Sequence, residues 1–417
     1  MIDIQLVRDN PDFIKEKSSQ KNVKVDIDEL LRIDKDRLET LQEVEILRQK
    51  RNEISDRMKT SGNSKPDQAS IDEGKQIKIE LADREELLTK QEADWLELLK
   101  AIPNPHTDDV PVGSEEDSVE IKTYGSVDGD AVDHLDYAVK RDWVDFERGA
   151  KVAGAKFYFL KGDLALLENA VVQYALELIT KKGFTYMTVP HMVNSRTSAG
   201  AGFAPRTSEQ SDEYFIEGED LTLIGTAEAP LTGYHADEII DEANLPLKYV
   251  GYSPCYRKEA GTYGKHTRGL FRVHQFNKLE MYAFTTKEQS AQMHEEILAI
   301  EEEVWQAIGI PYHVINIASG DLGAPASKKY DIEYWSRVDK KYRELTSCSN
   351  CTDFQTRNLN IRVRRKDGTV ELVHSLNGTV VSMARTLIAI IEHYQQENGK
   401  LGIPTVIQPY MGGRTEL

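Results

Sequence analysis

At 417 residues, 40% apolar and 29% charged, the chain is long enough for two or three domains and a sizeable core. A formal net charge of −18 argues against wholesale coating of nucleic acid and leaves only local clusters of cations as a nucleic-acid surface. No apolar run approaches the roughly 20 residues of a membrane span. The start MIDIQLVRDN lacks a signal-peptide core, and the three cysteines suit a reducing cytoplasm better than a disulfide scaffold.

Residues 26–59 read as one long helix, with Leu31, Leu38, Leu41, Val44, Leu47, Ile54 and Met58 at spacings of three, four or seven. The tract TSGNSKPD, residues 60–67, holds only turn and breaker residues. A second helix over residues 70–102 carries Ile77, Leu81, Leu88, Trp95, Leu98 and Ile102 on its seam. Together they predict an antiparallel coiled-coil hairpin, each leg on the order of 50 Å at 1.5 Å per residue. Arg51, Arg84 and Gln91 fall on or near the seam and weaken it. Such an arm can serve dimerisation or act as a solvated spacer. Towards the tip, however, Arg48, Lys50, Arg51, Arg57, Lys59 and Lys65 form a basic excess that a phosphate backbone would bind.

The prolines and acidic run of IPNPHTDDVPVGSEED, residues 102–117, mark a linker, giving expected domains at 1–108 and 109–417. Beyond it come a short strand at 156–160, an amphipathic helix at 163–181 capped by Asp163, and a strand at 184–189 ending in Pro190. Short β runs follow at 221–224, 248–252, 312–317, 343–347 and 360–364, and a last helix is expected from Gly378 to Tyr394. The pattern is α+β: an N-terminal coiled-coil hairpin, then a mainly antiparallel sheet flanked by helices.

The chemistry concentrates in RKEAGTYGKHTRGLFRVHQFNKLE, residues 257–280, which reads as two strands joined by a basic loop. Period-two alternation puts Arg257 with Glu259 on one arm and Arg272, Phe276 and Glu280 together on the other, opposite Phe271, Val273, Leu279 and Met281. Two arginines, two glutamates and a ring suit a site that holds a polyanion, stacks a flat ring and reads a small polar group. His274 is left structural. In IGTAEAPL, Thr226 and Glu228 also fit a plain helix cap. The CxxC of Cys348 and Cys351 lacks the second ligand pair that structural zinc requires. Glu344, Thr346 and Ser347 lie at a strand end where a carboxylate could hold a divalent ion, although strict alternation cannot turn both Thr346 and Ser347 to the Glu344 face. Asn377, Gly378 and Thr379 are expected to open the last helix, with Arg385 two turns in, either reaching an anion or lying at the surface.

Taken in order, the tract ending in Pro190, the R-x-E strand leading through a basic loop to R-x-x-x-F, and the late arginine helix resemble the three signature motifs of class II aminoacyl-tRNA synthetases. The arm, VPVG, TAE, RGLFRVHQFNKLE, ELTSCSNCTDFQTR, SLNGT followed by ART, and PYMGG narrow the resemblance, end to end, to the seryl-tRNA synthetase family. Two features depart from it: Gly225 stands where the family has proline, and residues 197–215 follow its lid only loosely.

The resemblance implies ATP-dependent activation of L-serine and transfer to tRNA(Ser), with tRNA(Sec) as a further substrate, in a homodimer whose arm grips the tRNA. By it Arg257 clamps the α-phosphate, with Lys258 and Glu259 beside it, and Arg272, Val273 and Phe276 hold the adenine end. Glu344, Leu345, Thr346 and Ser347 line the phosphates, Glu344 and Ser347 through Mg²⁺, and Arg385 takes the γ-phosphate. Thr226, Ala227, Glu228, Glu280 and Thr379 form the serine pocket, and Lys265, His266 and Arg268 mark where the tRNA acceptor end arrives. Arg257, Arg272 and Arg385 are thus the expected catalytic residues. The rival readings are a ligase serving a carrier protein, which would lack the arm, and a catalytically inactive paralogue acting as an RNA-binding or structural dimer, which would have lost Arg257, Glu280 or Arg385.

Overall fold

The computed structural model describes residues 1–60, 68–203, 212–259 and 269–417. The chain divides into two compact units, Met1–Pro103 and Asn104–Leu417.

In the first unit the helices Ile27–Thr60 and Gln68–Ala101 pair along their length. Val44, Leu47, Leu81 and Leu88 form the buried seam, with Leu41 beside them. Leu38, expected on the seam, is exposed, and Leu99 rather than Leu98 is fully covered. The seam changes at the base because two short helices not anticipated from sequence, Ile4–Asp9 and Pro11–Gln20, pack there, with Arg8 reaching Asp34 at 2.7 Å. Arg84 leaves the seam to bridge the legs, 3.2 Å from Glu43. Lys65 lies outside the described residues.

Residues 104–109, read in sequence as linker, are tied into the second unit. The Asn104 amide donates to the carbonyls of Pro325 and Cys351 at 2.8 and 2.9 Å, and Thr107 donates its backbone N–H to Ser327. The second unit is built on an eight-stranded sheet in the spatial order Val119–Tyr124, Tyr312–Asn316, Lys328–Ser336, Lys341–Thr352, His374–Ser382, Gln275–Thr285, Leu247–Tyr256 and Thr185–Thr188. Every pairing is antiparallel except the last, where Thr185–Thr188 runs parallel to Leu247–Tyr256.

The helices Gly162–Lys181, Ser290–Ile308 and Met383–Tyr394 share one core with Leu279, Met281 and Ala283 of the sheet. Tyr282 and Phe284 face the opposite way, into a smaller core with Ala227, Leu231 and Leu359. At about 1.5–3 kcal/mol per fully buried large apolar side chain, this two-sided packing holds the central strand rigid. Gly378 lies on the helix side, where a Cβ would come within 2.3 Å of Ile297 and 2.8 Å of the Glu301 carboxylate.

Three sequence expectations change. The 163–181 helix opens at Gly162 and Asp163 does not cap it; the Asp163 carboxylate instead pairs with Arg414 at 2.7 Å. Asn377, Gly378 and Thr379 sit inside the strand His374–Ser382 rather than at a helix start. The last helix, Met383–Tyr394, therefore carries Arg385 in its first turn.

Candidate active site

The strand Gln275–Thr285 forms a hairpin with Leu247–Tyr256, pairing Phe276 with Cys255 and Glu280 with Gly251. Alternation turns Phe276, Lys278 and Glu280 to the face opposite the helices. That face is the floor of a cavity of about 90 Å³ lined by residues of five segments. Arg257, Glu259, Val273, Phe276, Glu344, Leu345, Thr346, Ser347, Thr379 and Arg385 reach it from the expected set, and Phe271, Lys278, Ser382 and Ala384 join them.

Two β-bulges make this convergence possible. Opposite Ile332–Glu333 the partner strand carries an extra residue, Leu345, so Glu333 faces Glu344 while Ile332 faces Thr346. The insertion resets the alternation and turns Glu344 and Ser347 to the same side. Thr346 is turned back, its hydroxyl accepting from the Trp305 indole at 3.3 Å. A second bulge inserts Val380 opposite Leu279–Glu280. Thr379 and Ser382 then both face the cavity while Val380 and Val381 both enter the helix-side core. Bulges beside active sites commonly re-aim side chains in this way.

At the cationic end, the Arg257 guanidinium lies 5.4 Å from the Phe276 ring centre and donates from Nε to the Gly225 carbonyl at 3.2 Å. A Cβ at Gly225 would meet Arg257 at 3.6 Å, an ordinary contact, so the space beside Arg257 does not itself require glycine there. Arg385 pairs with Glu344 at 2.6 Å. Burial pushes the Glu344 pKa up, but Arg385, Lys329 and Arg257 outweigh it and hold the carboxyl well below its usual range. Glu259, at φ +50°, pairs with Arg272 at 2.6 Å. Arg272 precedes the strand and does not line the cavity, whereas Phe271 and Val273, expected by alternation on the opposite face, do. Lys258 turns away as well, its ammonium 5.2 Å from the Phe215 ring centre and its N–H on the Asp212 carbonyl.

Of the expected serine set only Thr379 lines the cavity; Thr226, Ala227, Glu228 and Glu280 do not, and Glu280 is 2% exposed. Its Oε2 accepts from Thr379 Oγ1 at 3.2 Å and lies 2.7 Å from the Lys278 ammonium. Thr226 and Ala227 precede the short helix Glu228–Gly233, with Ala227 at its N-cap, and the Glu228 N–H donates to Thr226 Oγ1 at 3.2 Å. Glu228 Oε1 accepts from Gln355 at 2.7 Å and from Asn377 at 2.9 Å. Burial, with Glu280 nearby, pushes the Glu228 pKa up to about 7. His274 Nδ1 lies 2.9 Å from the Arg257 carbonyl. Lys265, His266, Arg268 and residues 204–211 of the expected lid lie outside the described residues.

Lys278, Gln355 and Ser382 were not singled out from sequence. The alternation that groups Phe276 with Glu280 places Lys278 between them, so the signal was available. Gln355 and Ser382 required the tertiary fold.

The profile of the seryl-tRNA synthetase N-terminal domain matches residues 1–106, and that of the class II tRNA synthetase core domain (G, H, P, S and T) matches residues 212–394. The chain is 44% identical over 420 residues to the serine–tRNA ligase of Dictyoglomus turgidum, covering 99% of this chain and 98% of the relative. It is 41% identical over 418 residues to that of Treponema denticola, covering 99% of each. Among solved structures it is similar to the seryl-tRNA synthetase of Pyrococcus horikoshii complexed with ATP, with TM-score 0.89, 37% identity, and 100% of this chain and 99% of the other covered. It is also similar to the cytoplasmic serine–tRNA ligase of Naegleria fowleri in complex with AMP, with TM-score 0.85, 32% identity, and 100% and 98% covered. The arm and the core match in one continuous full-length alignment, and the chain belongs to the seryl-tRNA synthetase family.

Proposed function

We propose that the chain activates L-serine with ATP to seryl-adenylate and transfers the seryl group to the 3′ end of tRNA(Ser), with tRNA(Sec) as a second acceptor. The observation that carries this reading is one cavity lined by arginines, a ring, a phosphate-side carboxylate and Thr379, whose hydroxyl donates to the buried Glu280.

In the first step a serine carboxylate oxygen attacks the α-phosphorus in line and pyrophosphate leaves. No proton need move, so positioning and charge neutralisation dominate, which explains arginines in place of a catalytic histidine. Arg257 is assigned to the α-phosphate, Phe276 to the adenine face, and Arg385 to the γ-phosphate, with Arg272 and Glu259 closing the adenine end. In the second step a terminal ribose hydroxyl attacks the activated carbonyl, the bond from that carbonyl carbon to the phosphate oxygen breaks, and AMP leaves with the electron pair while the hydroxyl proton is lost.

The fit of Mg²⁺ rests on Glu344 and Ser347, which offer hard oxygen donors from one face. Among the described residues no three histidine, cysteine or carboxylate side chains converge on a metal position, so phosphates and water would complete the shell. Bound there, the ion would offset phosphate charge. The arm is assigned to tRNA, the working unit is a homodimer, and the compartment is the cytoplasm. Among the described residues no helix is long and apolar enough to cross a membrane.

ATP–pyrophosphate exchange with serine, threonine, alanine and glycine, followed by charging of total tRNA, tests the assignment. Exchange with serine alone and charging of serine acceptors are expected; exchange with none of the four supports an inactive paralogue.

Serine binding should also depend on pH through Glu228. Below about pH 7 its carboxyl holds a proton, because burial disfavours the charged form. A serine ammonium binds the ionised form, so affinity rises as pH climbs through 7. Between pH 6 and pH 8 the ionised fraction grows about tenfold, and titration calorimetry should show a comparable gain that Glu228→Gln removes.

A further inference from the structure

Lys278 is the one cavity residue of the central strand without a role in the scheme above. It lies on the same face as Phe276 and Glu280, two residues from each, or about 7 Å along an extended strand. Phe276 is assigned to adenine and Glu280 to the serine side chain, so Lys278 stands at the junction between the two substrates. Its side chain is 9% exposed and its ammonium is 2.7 Å from Glu280 Oε2. An ammonium has three N–H donors. One is committed to Glu280, which leaves two for the cavity that Lys278 shares with Arg257, Ser347 and Thr379.

The junction is where chemistry is electrostatically hardest. A carboxylate and a triphosphate, both anionic, must approach to bonding distance inside a site that excludes most of the screening water. Arg257 approaches from the hairpin end, and its Nε is occupied by the Gly225 carbonyl. A second fixed cation on the strand floor, held by Glu280 and therefore already oriented, would act on the charge that builds up during attack.

We propose that Lys278 is a catalytic residue: its ammonium contacts the serine carboxylate and the α-phosphate of ATP and draws the two anions together. The inference rests on the serine and adenine assignments made above. As the carboxylate oxygen bonds to the α-phosphorus, the bond from that phosphorus to the bridging oxygen breaks and its electron pair leaves with pyrophosphate. Lys278 neither gains nor loses a proton. The competing role is purely structural, with Lys278 only holding Glu280 in place.

Exchange assays on the full-length chain separate the two. In Lys278→Met, kcat for serine-dependent exchange is expected to fall about 100-fold, as when one preorganised transition-state donor is removed. ATP affinity without serine should stay within about twofold of wild type, which also reports an intact fold. Small primary amines added to Lys278→Ala should restore about tenfold of the loss. The proposal is overturned if Lys278→Met keeps kcat within about threefold, or loses only serine affinity and serine-over-alanine discrimination. An Ala variant that binds ATP normally but gains nothing from amines overturns it too. Glu280→Gln is run in parallel: wild-type exchange by that variant would remove the serine-site reading itself, whatever Lys278 does.

Discussion

Glu280→Ala is expected to lower kcat/KM for serine-dependent exchange by roughly 10⁴-fold or more while leaving a folded protein that still binds ATP. A site built to hydrogen-bond a substrate hydroxyl leaves its own buried polar atoms without partners when that group is absent, and the same unpaired atoms are created when the site residue is removed. Here the dependence is sharpened because Glu280 Oε2 is the meeting point of the Thr379 hydroxyl and the Lys278 ammonium. Removing the carboxylate disconnects both. Leaving one partner of a fully buried ion pair uncompensated can cost about 3–5 kcal/mol. Lys278 lines the cavity, however, and water entering there would relieve much of that penalty. Thermal melting should therefore show a lowered but cooperative transition. Normal serine exchange in the variant would disprove the assignment. The same geometry admits threonine on hydrogen-bonding grounds, so rejection of threonine must come from size, a weaker filter worth one or two extra contacts.

Removing residues 27–101 and joining the ends with a short flexible link is expected to leave exchange within a few-fold of wild type and to abolish tRNA charging. Residues 104–417 keep their own sheet, cores and cavity, and the first unit is compact by itself. The arm's basic cluster is more selective than its composition suggests. Arg48 pairs across the legs with Glu85 at 2.7 Å and Arg57 with Glu73 at 3.0 Å, while Lys59 pairs with Asp56 of its own helix at 3.1 Å. Among the described residues Lys50 and Arg51 are exposed and form no such pair. Charge reversal at these two is thus expected to weaken tRNA binding more than reversal at Arg48 and Arg57. It should also flatten the salt dependence by about one phosphate contact per residue. Charging that survives loss of the arm would show that tRNA is held elsewhere.

How much of this was legible beforehand follows from which physical signals are local. The hairpin arm could be read because a seven-residue apolar rhythm survives without any tertiary context. Its base could not, because Val7 and Ile14 on two short helices share in burying it, and neither helix is long enough to carry a periodic signal. The central hairpin could be read only in part. Leu279 and Met281 enter the helix-side core as expected. Residues 271–273 precede the strand Gln275–Thr285, so the alternation does not extend to them, and Phe271 and Val273 line the cavity in place of Arg272. The tract after it was misread because SLNGTVVSMART mixes small, polar and β-branched residues, which fits a capped helix as well as a strand. The neighbours at Lys278–Phe284 and Cys348–Thr352, hydrogen-bonded on both sides, decided in favour of the strand.

The sequence by itself determined the inventory: which cations, carboxylates and ring are available, in what order, and that a long arm precedes them. Only the tertiary structure decided which of them meet. Alternation along an isolated strand forbids Glu344 and Ser347 from sharing a face, and likewise Thr379 and Ser382. A single inserted residue in each pair, Leu345 and Val380, reverses that outcome. A bulge is a property of two strands in register, since the extra residue exists only relative to the partner it fails to pair with. No reading of one strand alone contains that information.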